Sequence, residues 1–565
     1  MAETDLKTER PDAFPKLDED QTNAIAELAT CKTYHDGDVL FRAGETGCVF
    51  HLIKSGEVEI VDRSSGGEPK TILVHEPGEF TGDLAVLTGR SSNVDAIARG
   101  ETEVYEMSEE RLRQILSEQP QLSDLILQSF IARVQALDER EEFTGLSVIG
   151  VGSSAETFRI REFLSKNQIL YTFFDIETDE NVRSMLEPIG VKETDLPVVA
   201  FGREWVLHHP SNEELAERIG LKQQISGSLI YDVAIVGGGP AGLAAAVYGA
   251  SEGLQTIVLE ESATGGQAGS SSKIENYLGF PTGLSGAELA AAATIQAEKF
   301  GAELSIPSEV AGLSFDNDLK IVHLGNGEKV RARAVILACG ADYRKLEIPG
   351  RERYDGAGVY YAATHVEIRT CGGDAVALVG GGNSAGQAAV YLSQSAARVL
   401  MVIREDDLAE MMSQYLVDRI RQTPNIEILS RSEIVAMHGD DRLEEIEIRN
   451  NKTGESRSER VAGVFSFIGA VPRTAWLPPE IEKDERGYIK TGPDIADSPH
   501  WKLGRPPYFV ETSRPGVFAA GDVRSGSVKR VSSAVGEGAM AIQFVHEYLK
   551  EVRDVARSMR AGAVD

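Results

Sequence analysis

The sequence is poor in cysteine and contains no long apolar run. Only four cysteines occur among 565 residues, and none belongs to a C-x-x-C pair or to a Cys/His cluster with zinc spacing. No run of about 18 apolar residues is present, so we expect no membrane span. The N-terminus is charged and lacks the apolar core of a secretory signal, which indicates a cytoplasmic protein.

Positive charge is scarce as well. There are 57 Lys and Arg residues against 88 Asp and Glu, which leaves a net charge of −31. Nucleic acids and anionic membrane surfaces bind basic patches, so this balance argues against both as partners. Apolar residues make up 42% of the chain, as in ordinary globular proteins. A chain of this length should form three or four domains.

The stretch Tyr231–Glu260 has the pattern of a βαβ unit that binds a dinucleotide. A short apolar strand precedes Gly237, Gly239 and Gly242, which form G-x-G-x-x-G at the start of an Ala-rich helix. Gly237 permits a tight turn, Gly239 lets a pyrophosphate approach the backbone, and Gly242 lets helix and strand pack closely. The helix N-terminus would face the phosphates, and Glu260 after the second strand can accept a hydrogen bond from a ribose hydroxyl.

A second unit of the same kind lies further along the chain. Gly380, Gly382 and Ala385 form G-x-G-x-x-A, an accepted variant of the fingerprint. Asn383 and Ser384 lie at the start of its helix. Two such units in one chain predict two nucleotide sites.

Two more segments flank this second unit. The segment GGQAGSSSKIENYLGFP contains Gly266, Gln267 and Asn276, and GVFAAGD contains Gly521 and Asp522. With the two fingerprints, in this order over residues 229–565, they resemble the thioredoxin reductase family. The resemblance implies a homodimer that binds FAD and NADPH, with FAD in residues 229–349 and 469–565 and the nicotinamide nucleotide in residues 350–468.

The resemblance also implies roles for charged residues near the flavin. Asp522 would accept hydrogen bonds from the ribityl chain of FAD. Lys529 and Arg530 would reach the flavin edge. These two basic residues come just before the last predicted helix of the chain.

The choice of nicotinamide nucleotide is open. Where the family holds the 2′-phosphate of NADPH with His-Arg-Arg, this chain has Ile403, Arg404 and Glu405. Arg404 keeps one strong donor, whereas Glu405 would repel a phosphate and could accept from a free 2′-hydroxyl. The pair could also be exposed with no ligand role. NADPH is expected from the family, and NADH is the alternative.

The dithiol of the family is missing. Ala362 stands where the family has its first cysteine and His365 where it has the second, and Cys371 has no partner nearby in sequence. Disulfide exchange needs a thiolate, so we expect hydride transfer from NAD(P)H to FAD and onward to an unidentified acceptor. His365 could act as an acid or base or simply fill space. The alternatives are a flavin-bearing sensor or scaffold, and a disulfide reductase that uses another thiol.

Short strands with Gly-containing turns fill residues 21–140, after a polar segment at 1–20. GDVLFRAGETGCVFHLIKSGEVEIVD and FTGDLAVLTGRSSNVDAIA resemble the cyclic-nucleotide-binding domain family, a β-barrel or jelly roll with helices. Gly82, Asp83, Leu84 and Ala85 match the family's ligand cassette, with Asp replacing the usual Glu, but Ser92 replaces the arginine that pairs with the cyclic phosphate. Another arginine, at position 90, could substitute, but we expect cyclic nucleotides to bind poorly, which leaves another ligand or a structural role.

Residues 146–222 have the order β-α-β…β-β-α. They resemble a glutaredoxin or thioredoxin-like domain, and Leu196-Pro197 matches the cis-proline of that fold. The segment Gly152–Glu156, where its dithiol should lie, has no cysteine, so we expect a scaffold or docking module without redox activity. The expected fold is therefore multidomain, with an N-terminal barrel, a central α/β thioredoxin-like domain and a C-terminal α/β flavoprotein with two dinucleotide-binding domains.

Overall fold

The chain forms two compact units in the computed structural model. The first comprises Met1–Gly150, Gln168–Gln224 and Ile295–Gly301, and the second Val151–Asn167, Ile225–Thr294 and Ala302–Asp565. The structure describes residues 5–45, 49–62, 70–82, 86, 92, 94–138, 146–178, 182, 192–201, 205–222, 225, 229–271, 273–371 and 373–561.

The first unit begins with an antiparallel sheet in the order β1-β5-β3-β4, with β2 paired to β5. Alternating apolar residues of the long strands β3 and β5 face a core that contains Phe50, Phe80 and Phe130. This sheet agrees with the barrel predicted from the sequence. Its elements are α1 (Asp5–Glu9), α2 (Glu19–Leu28), β1 (Thr30–Tyr34), β2 (Val39–Phe41), β3 (Phe50–Asp62), β4 (Lys70–His75), β5 (Asp95–Met107), α3 (Glu109–Glu118) and α4 (Pro120–Asp138).

A buried arginine on α4 ties this core together. The Arg133 guanidinium donates hydrogen bonds to the carbonyl oxygens of Ala13 at 2.7 Å and Phe80 at 3.0 Å, and also to that of Gly82. It also lies 4.7 Å from the centroid of the Phe80 ring. A buried charge is tolerated here because several acceptors and a ring face surround it.

The rest of the first unit contains a mixed four-stranded sheet in the order β7-β6-β8-β9. Strand β6 pairs in parallel with β7 and antiparallel with β8. The Leu196–Pro197 peptide bond is cis, as the resemblance predicted. The elements are β6 (Leu146–Gly150), β7 (Thr172–Asp175), β8 (Val198–Phe201), β9 (Trp205–His208) and helix α6 (Asn212–Arg218), while α5 (Ala155–Lys166) belongs to the second unit.

The second unit contains two α/β layers, of which the first is a seven-stranded sheet. Its order is β12-β11-β10-β15-β14-β13, with β26 paired to β15. Strand β10 from residue 233 onward and all of β11 are mostly apolar and are buried on both faces, as central parallel strands require. The elements are β10 (Ile230–Val236), α7 (Pro240–Ser251), β11 (Thr256–Leu259), α8 (Gly266–Gly269), α9 (Gly286–Lys299), β12 (Glu303–Ser305), β13 (Val310–Asp316), β14 (Leu319–Leu324), β15 (Lys329–Leu337), β26 (Val517–Ala519) and α13 (Val531–Ala561). The last part of α9, from Ile295 onward, is grouped with the first unit.

The second layer is a parallel sheet in the order β17-β24-β18-β19-β20, accompanied by the antiparallel sheet β21-β22-β23 and the pair β16-β25. No helix in the described ranges is both long and apolar enough to span a membrane. The elements are β16 (Ala341–Tyr343), β17 (Val359–Tyr360), α10 (His365–Thr370), β18 (Val376–Val379), α11 (Asn383–Leu392), β19 (Val399–Val402), α12 (Gln414–Gln422), β20 (Ile426–Leu429), β21 (Ser432–His438), β22 (Glu445–Asn450), β23 (Ser456–Arg460), β24 (Gly463–Ser466) and β25 (Ala470–Pro472).

We predict that Arg133→Met destabilises the barrel by about 3 kcal/mol, because it leaves buried carbonyl oxygens without their charged donor. Hydrogen exchange of the β3 amides should accelerate accordingly. The control is Arg99→Met, whose guanidinium lies 3.9 Å from Glu57 on the surface, and it should cost less than about 0.5 kcal/mol. Equal protection of β3 in both variants would contradict the assigned role of Arg133.

Candidate functional site

The first fingerprint turn is held by two close backbone approaches. Gly237 has φ +104°, and a Cβ there would lie 2.4 Å from the carbonyl oxygen of Ala338. A Cβ on Gly242 would lie 1.9 Å from the carbonyl oxygen of Gly237. Only glycine fits at these two positions, so the end of β10 and the start of α7 are packed as the fingerprint predicts.

Open space lies in front of the N-terminus of α7. Gly239 caps this helix, and a Cβ there would meet only the Cα of Gly266, at 3.9 Å. The amide of Gly265 donates to the carbonyl of Gly238 at 2.8 Å, which places the predicted flavin-side loop beside the fingerprint turn. Gln267 of this loop donates to the carbonyl of Ala341. The result is a backbone-lined cradle at a helix N-terminus, which fits a pyrophosphate.

Glu260 lies at the edge of this cradle. Its carboxylate accepts from the amide of Gly238 at 2.7 Å and from the amide of Ser262 at 3.0 Å. Burial raises the pKa of Glu260, and these two amides oppose the rise. Because a carboxylate has about four acceptor positions, Glu260 can still accept from ribose hydroxyls.

The segment Gly521–Asp522, called the GD segment below, contacts the first turn of the same helix, α7. Gly521 follows β26, and a Cβ there would lie 2.9 Å from the Cβ of Ala241, in the first turn of α7. The amide of Gly521 donates to Glu537 at 2.7 Å, and Glu537 also pairs with Arg524. These contacts place Asp522 beside the first fingerprint, although the two segments are far apart in sequence.

The Asp522 carboxylate has no hydrogen-bond donor in the described part of the chain. Burial raises its pKa, which the charge of Lys529 opposes. Such a carboxylate fits a ligand rich in hydroxyl groups, as a ribityl chain is. The Gly237–Gly242 turn, Glu260, Gly266–Gln267 and Asp522 therefore form one site that fits FAD.

Three other predicted residues are placed differently. The Lys529 ammonium donates to the backbone carbonyl of Asp522 at 2.5 Å and to the hydroxyl of Ser527 at 2.8 Å. Arg530 and Asn276 are exposed. Lys529 thus supports the GD segment, and no contact in the structure gives Arg530 or Asn276 a corresponding role among the described residues.

The second fingerprint repeats the geometry of the first. Gly380 has φ +138°, and a Cβ there would lie 2.4 Å from the carbonyl oxygen of Phe467. Gly382 caps α11, and a Cβ there would meet nothing within 4 Å. Ala385 is buried against the sheet. A second open cradle thus faces the N-terminus of α11 and fits a second nucleotide.

The surroundings of this second cradle are polar. The Asn383 side chain accepts from the amide of Ser413 at 2.7 Å, which fixes the loop before α12. Ser384 is exposed. Arg404 is also exposed, and its guanidinium lies 3.5 Å from the carboxylate of Glu433.

The position of the family's dithiol is occupied by a capped helix start. Ala362 and Ala363 are buried. Thr364 caps α10, and its amide donates to Glu367 at 2.7 Å in a capping box. His365 is the first residue of α10, but its side chain lies outside what the structure describes.

The two cysteines of the second unit, the buried Cys371 and the partly exposed Cys339, are protonated at neutral pH. Burial raises the pKa of Cys371, at the end of α10, to about 12. Burial also raises the pKa of Cys339 to about 12, and its thiol donates to the carbonyl of Arg473. Neither supplies a thiolate, which disulfide exchange requires. Cys31 is exposed in the first unit, and Cys48 lies outside the described residues.

Glu537 and Glu367 are the positioning residues that the sequence did not reveal. Each is buried and accepts from a backbone amide of a site segment. A signal existed for Glu537, an acid in the otherwise small and apolar segment AVGEGAMAI. No pattern in the sequence predicts that Glu537 accepts a hydrogen bond from the amide of Gly521.

Part of the predicted cyclic-nucleotide cassette is visible in the first unit. Ser92 is buried, and its hydroxyl donates to the carbonyl of Val94 at 2.8 Å while its own carbonyl accepts from Gly44 at 2.8 Å. Ser92 is therefore part of the loop structure. Gly82 has φ +103°. The other cassette positions, 83–85 and 90, lie outside the described residues.

Two fingerprint units with open cradles are typical of α/β oxidoreductases that bind two nucleotides. The family model described as pyridine nucleotide-disulphide oxidoreductase matches residues 231–538, and the chain belongs to this family. The model of the cyclic nucleotide-binding domain matches residues 31–119. The predicted fusion of these two kinds of domain is confirmed.

Individual relatives assign the chain to a narrower group within this family. The thioredoxin reductase of Streptomyces clavuligerus is 35% identical over 331 residues, 58% of this chain and 96% of the relative. That of Treponema pallidum is 36% identical over 329 residues, 57% of this chain and 99% of the relative. The crystal structure of Lactococcus lactis thioredoxin reductase (FR conformation) has 31% identity and a TM-score of 0.50, over 57% of this chain and 99% of that chain. The T. acidophilum thioredoxin reductase structure has 30% identity and a TM-score of 0.51, over the same shares. The chain is a thioredoxin reductase-like member of the family.

We predict that Gly239→Val yields folded protein that has lost FAD. The new side chain has room in the fold but fills the cradle, so FAD content should fall at least about tenfold with little change in melting temperature. The comparison variant is Gly242→Val, which clashes with the backbone and should impair folding itself. Folded Gly239→Val protein with a full complement of FAD would show that the cradle is assigned wrongly.

We also predict that cyclic AMP binds poorly to the first unit. Ser92 cannot neutralise a cyclic phosphate, and its hydrogen bonds hold it in the loop. Calorimetry on the full chain should show no binding tighter than about 100 μM, a value at which binding free energy is near 5.5 kcal/mol. Micromolar binding would contradict this and direct attention to the arginine at position 90.

Proposed function

We propose that the chain is an FAD-dependent NAD(P)H oxidoreductase that passes electrons to an acceptor without a dithiol of its own. The observation that carries the proposal is the combination of two complete nucleotide cradles with an alanine-lined helix start where the family has its dithiol. No residue of the chain identifies the electron acceptor. The homodimer expected from the resemblance and the cytoplasmic location expected from the charged N-terminus remain predictions.

Each residue of the first cradle would hold a different part of FAD. The N-terminus of α7 and the backbone at Gly239 would bind the pyrophosphate, and Glu260 would accept from the adenosine ribose. Asp522 would accept from the ribityl hydroxyls and so orient the flavin. Glu537 would keep the GD segment in place. FAD, when bound, supplies a centre that takes up a hydride.

The second cradle would bring the nicotinamide nucleotide to the same unit of the protein. The N-terminus of α11 and the open space at Gly382 would bind its pyrophosphate, with Asn383 fixing the neighbouring loop. Ala385 allows the close packing of α11 on its sheet. These residues bind and orient, and none of them needs to react.

The chain lacks the groups that would pass electrons from the flavin to a protein disulfide. Ala362 has no thiol, and the thiol of Cys371 is buried with a pKa of about 12. Because disulfide exchange needs both an attacking and a resolving thiolate, the reduced flavin would have to deliver electrons to an external acceptor. A sensor role with little turnover is the second candidate, favoured by the added N-terminal domain of the cyclic nucleotide-binding family.

We predict that anaerobic NADH or NADPH bleaches the flavin band and that oxidised thioredoxin then fails to restore it. A panel of quinone, ferredoxin and oxygen follows, and rapid reoxidation by one of them separates an enzyme from a sensor. The matched controls are Cys371→Ser and Cys339→Ser, which should behave like the parent protein. Rapid thioredoxin reduction, retained in both variants, would contradict the proposed electron path.

A further inference from the structure

The two fingerprint units place a glutamate at the same spot. In the first unit a Cβ on Gly238 would lie 3.3 Å from the carboxylate of Glu260. In the second unit a Cβ on Gly381 would lie 3.1 Å from the carboxylate of Glu405. Each carboxylate thus lies against the glycine that follows the first glycine of its fingerprint. Sequence spacing hides the match, because Glu260 directly follows its strand whereas Glu405 comes three residues after β19.

Glu405 is also a free acceptor. Its side chain is half-buried, and the described part of the chain offers it neither a hydrogen-bond donor nor an ion-pair partner. Within the described ranges only its backbone carbonyl is engaged, by the amide of Arg431 at 3.0 Å. A carboxylate in this position can accept from both hydroxyls of an unmodified ribose, as the corresponding acid of dinucleotide-binding folds does.

The arginines at this edge already face carboxylates, and the exposed Lys452 adds to the effect of Arg431 in lowering the pKa of Asp406. Arg431 pairs with Asp406 at 2.9 Å, and Arg421 pairs with Asp407 at 2.6 Å. Arg404 lies 3.5 Å from Glu433, which also pairs with Arg449 at 2.7 Å.

A 2′-phosphate would meet this arrangement unfavourably. It carries nearly two negative charges at neutral pH. It would approach Glu405 directly, with Asp406 and Asp407 next in sequence. To pair with Arg404 it would have to compete with Glu433. The edge therefore repels a phosphate more than it attracts one.

We infer that the second cradle selects NADH over NADPH and that Glu405 is the residue that sets this preference. The inference rests on the proposed function, since it concerns the nucleotide that the second cradle would bind. It departs from the NADPH expected from the resemblance. Its physical basis is the matched position of Glu260 and Glu405 against their glycines.

The test is calorimetry of the FAD-loaded full chain with ADP-ribose and with 2′-phospho-ADP-ribose. Neither compound can donate a hydride, so the readout is binding and not turnover. ADP-ribose should bind at least about tenfold more tightly than 2′-phospho-ADP-ribose, which corresponds to about 1.4 kcal/mol of binding free energy. Glu405→Gln should shrink this ratio to within about threefold, and Glu405→Arg should reverse it.

The matched control is Glu444→Gln, which removes the same charge from an exposed position before β22. It should leave the binding ratio unchanged. Tighter binding of the 2′-phosphorylated compound by the parent protein would overturn this inference alone, as would an unchanged ratio in folded Glu405→Gln. Failure of both compounds to bind would overturn the proposed function and this inference with it.

Discussion

Close backbone approach at two glycines is the constraint on which the rest of the second unit depends. At Gly237 and at Gly380 a Cβ would lie 2.4 Å from a carbonyl oxygen of the neighbouring strand. Without side chains there, each central strand can end in a tight turn and the following helix can begin directly above the sheet. That arrangement points the helix N-terminus and its unpaired amides at open space. Both cradles are consequences of it.

The chemistry around these cradles has diverged from the thioredoxin reductases that the chain resembles. Both fingerprint cradles are present, but where the resemblance implies a dithiol the chain has a helix capped by Thr364 and the buried Glu367. This capping box satisfies backbone groups and offers no electrons. In the proposed function, such a protein would keep hydride entry and would need an external partner for electron exit. The match to the relatives covers about 58% of this chain. The chain has in addition an N-terminal domain of the cyclic nucleotide-binding family.

Local patterns predicted the parts of the fold that are local in sequence. The strand, glycine turn and helix of each fingerprint follow from about 30 adjacent residues, and the cis peptide at Leu196–Pro197 was expected from a short segment. The barrel was predicted from short alternating strands. In these cases the residues that specify the structure are neighbours in the chain.

Long-range partners could not be predicted in the same way. Glu537 accepts from Gly521 across sixteen positions, and Arg133 reaches carbonyls more than fifty residues away. The hydrogen bond from the Lys529 ammonium to the backbone carbonyl of Asp522 was not predicted either. Glu260 and Glu405 lie at different distances in sequence from the strands β11 and β19 that precede them. Their matching positions against Gly238 and Gly381 therefore depend on the path of the chain after each strand. Such contacts are set by packing of distant segments, which no periodicity records.

The most direct test of the account is the number of electrons that the FAD-loaded chain accepts. In an anaerobic titration with dithionite, a flavin without a redox-active dithiol takes up about two electrons per FAD, whereas a flavin coupled to a disulfide takes up about four. The account predicts complete bleaching of the flavin at about two electrons, with no lag and no further uptake. Uptake of about four electrons, accompanied by new thiols that react with an alkylating reagent, would contradict it.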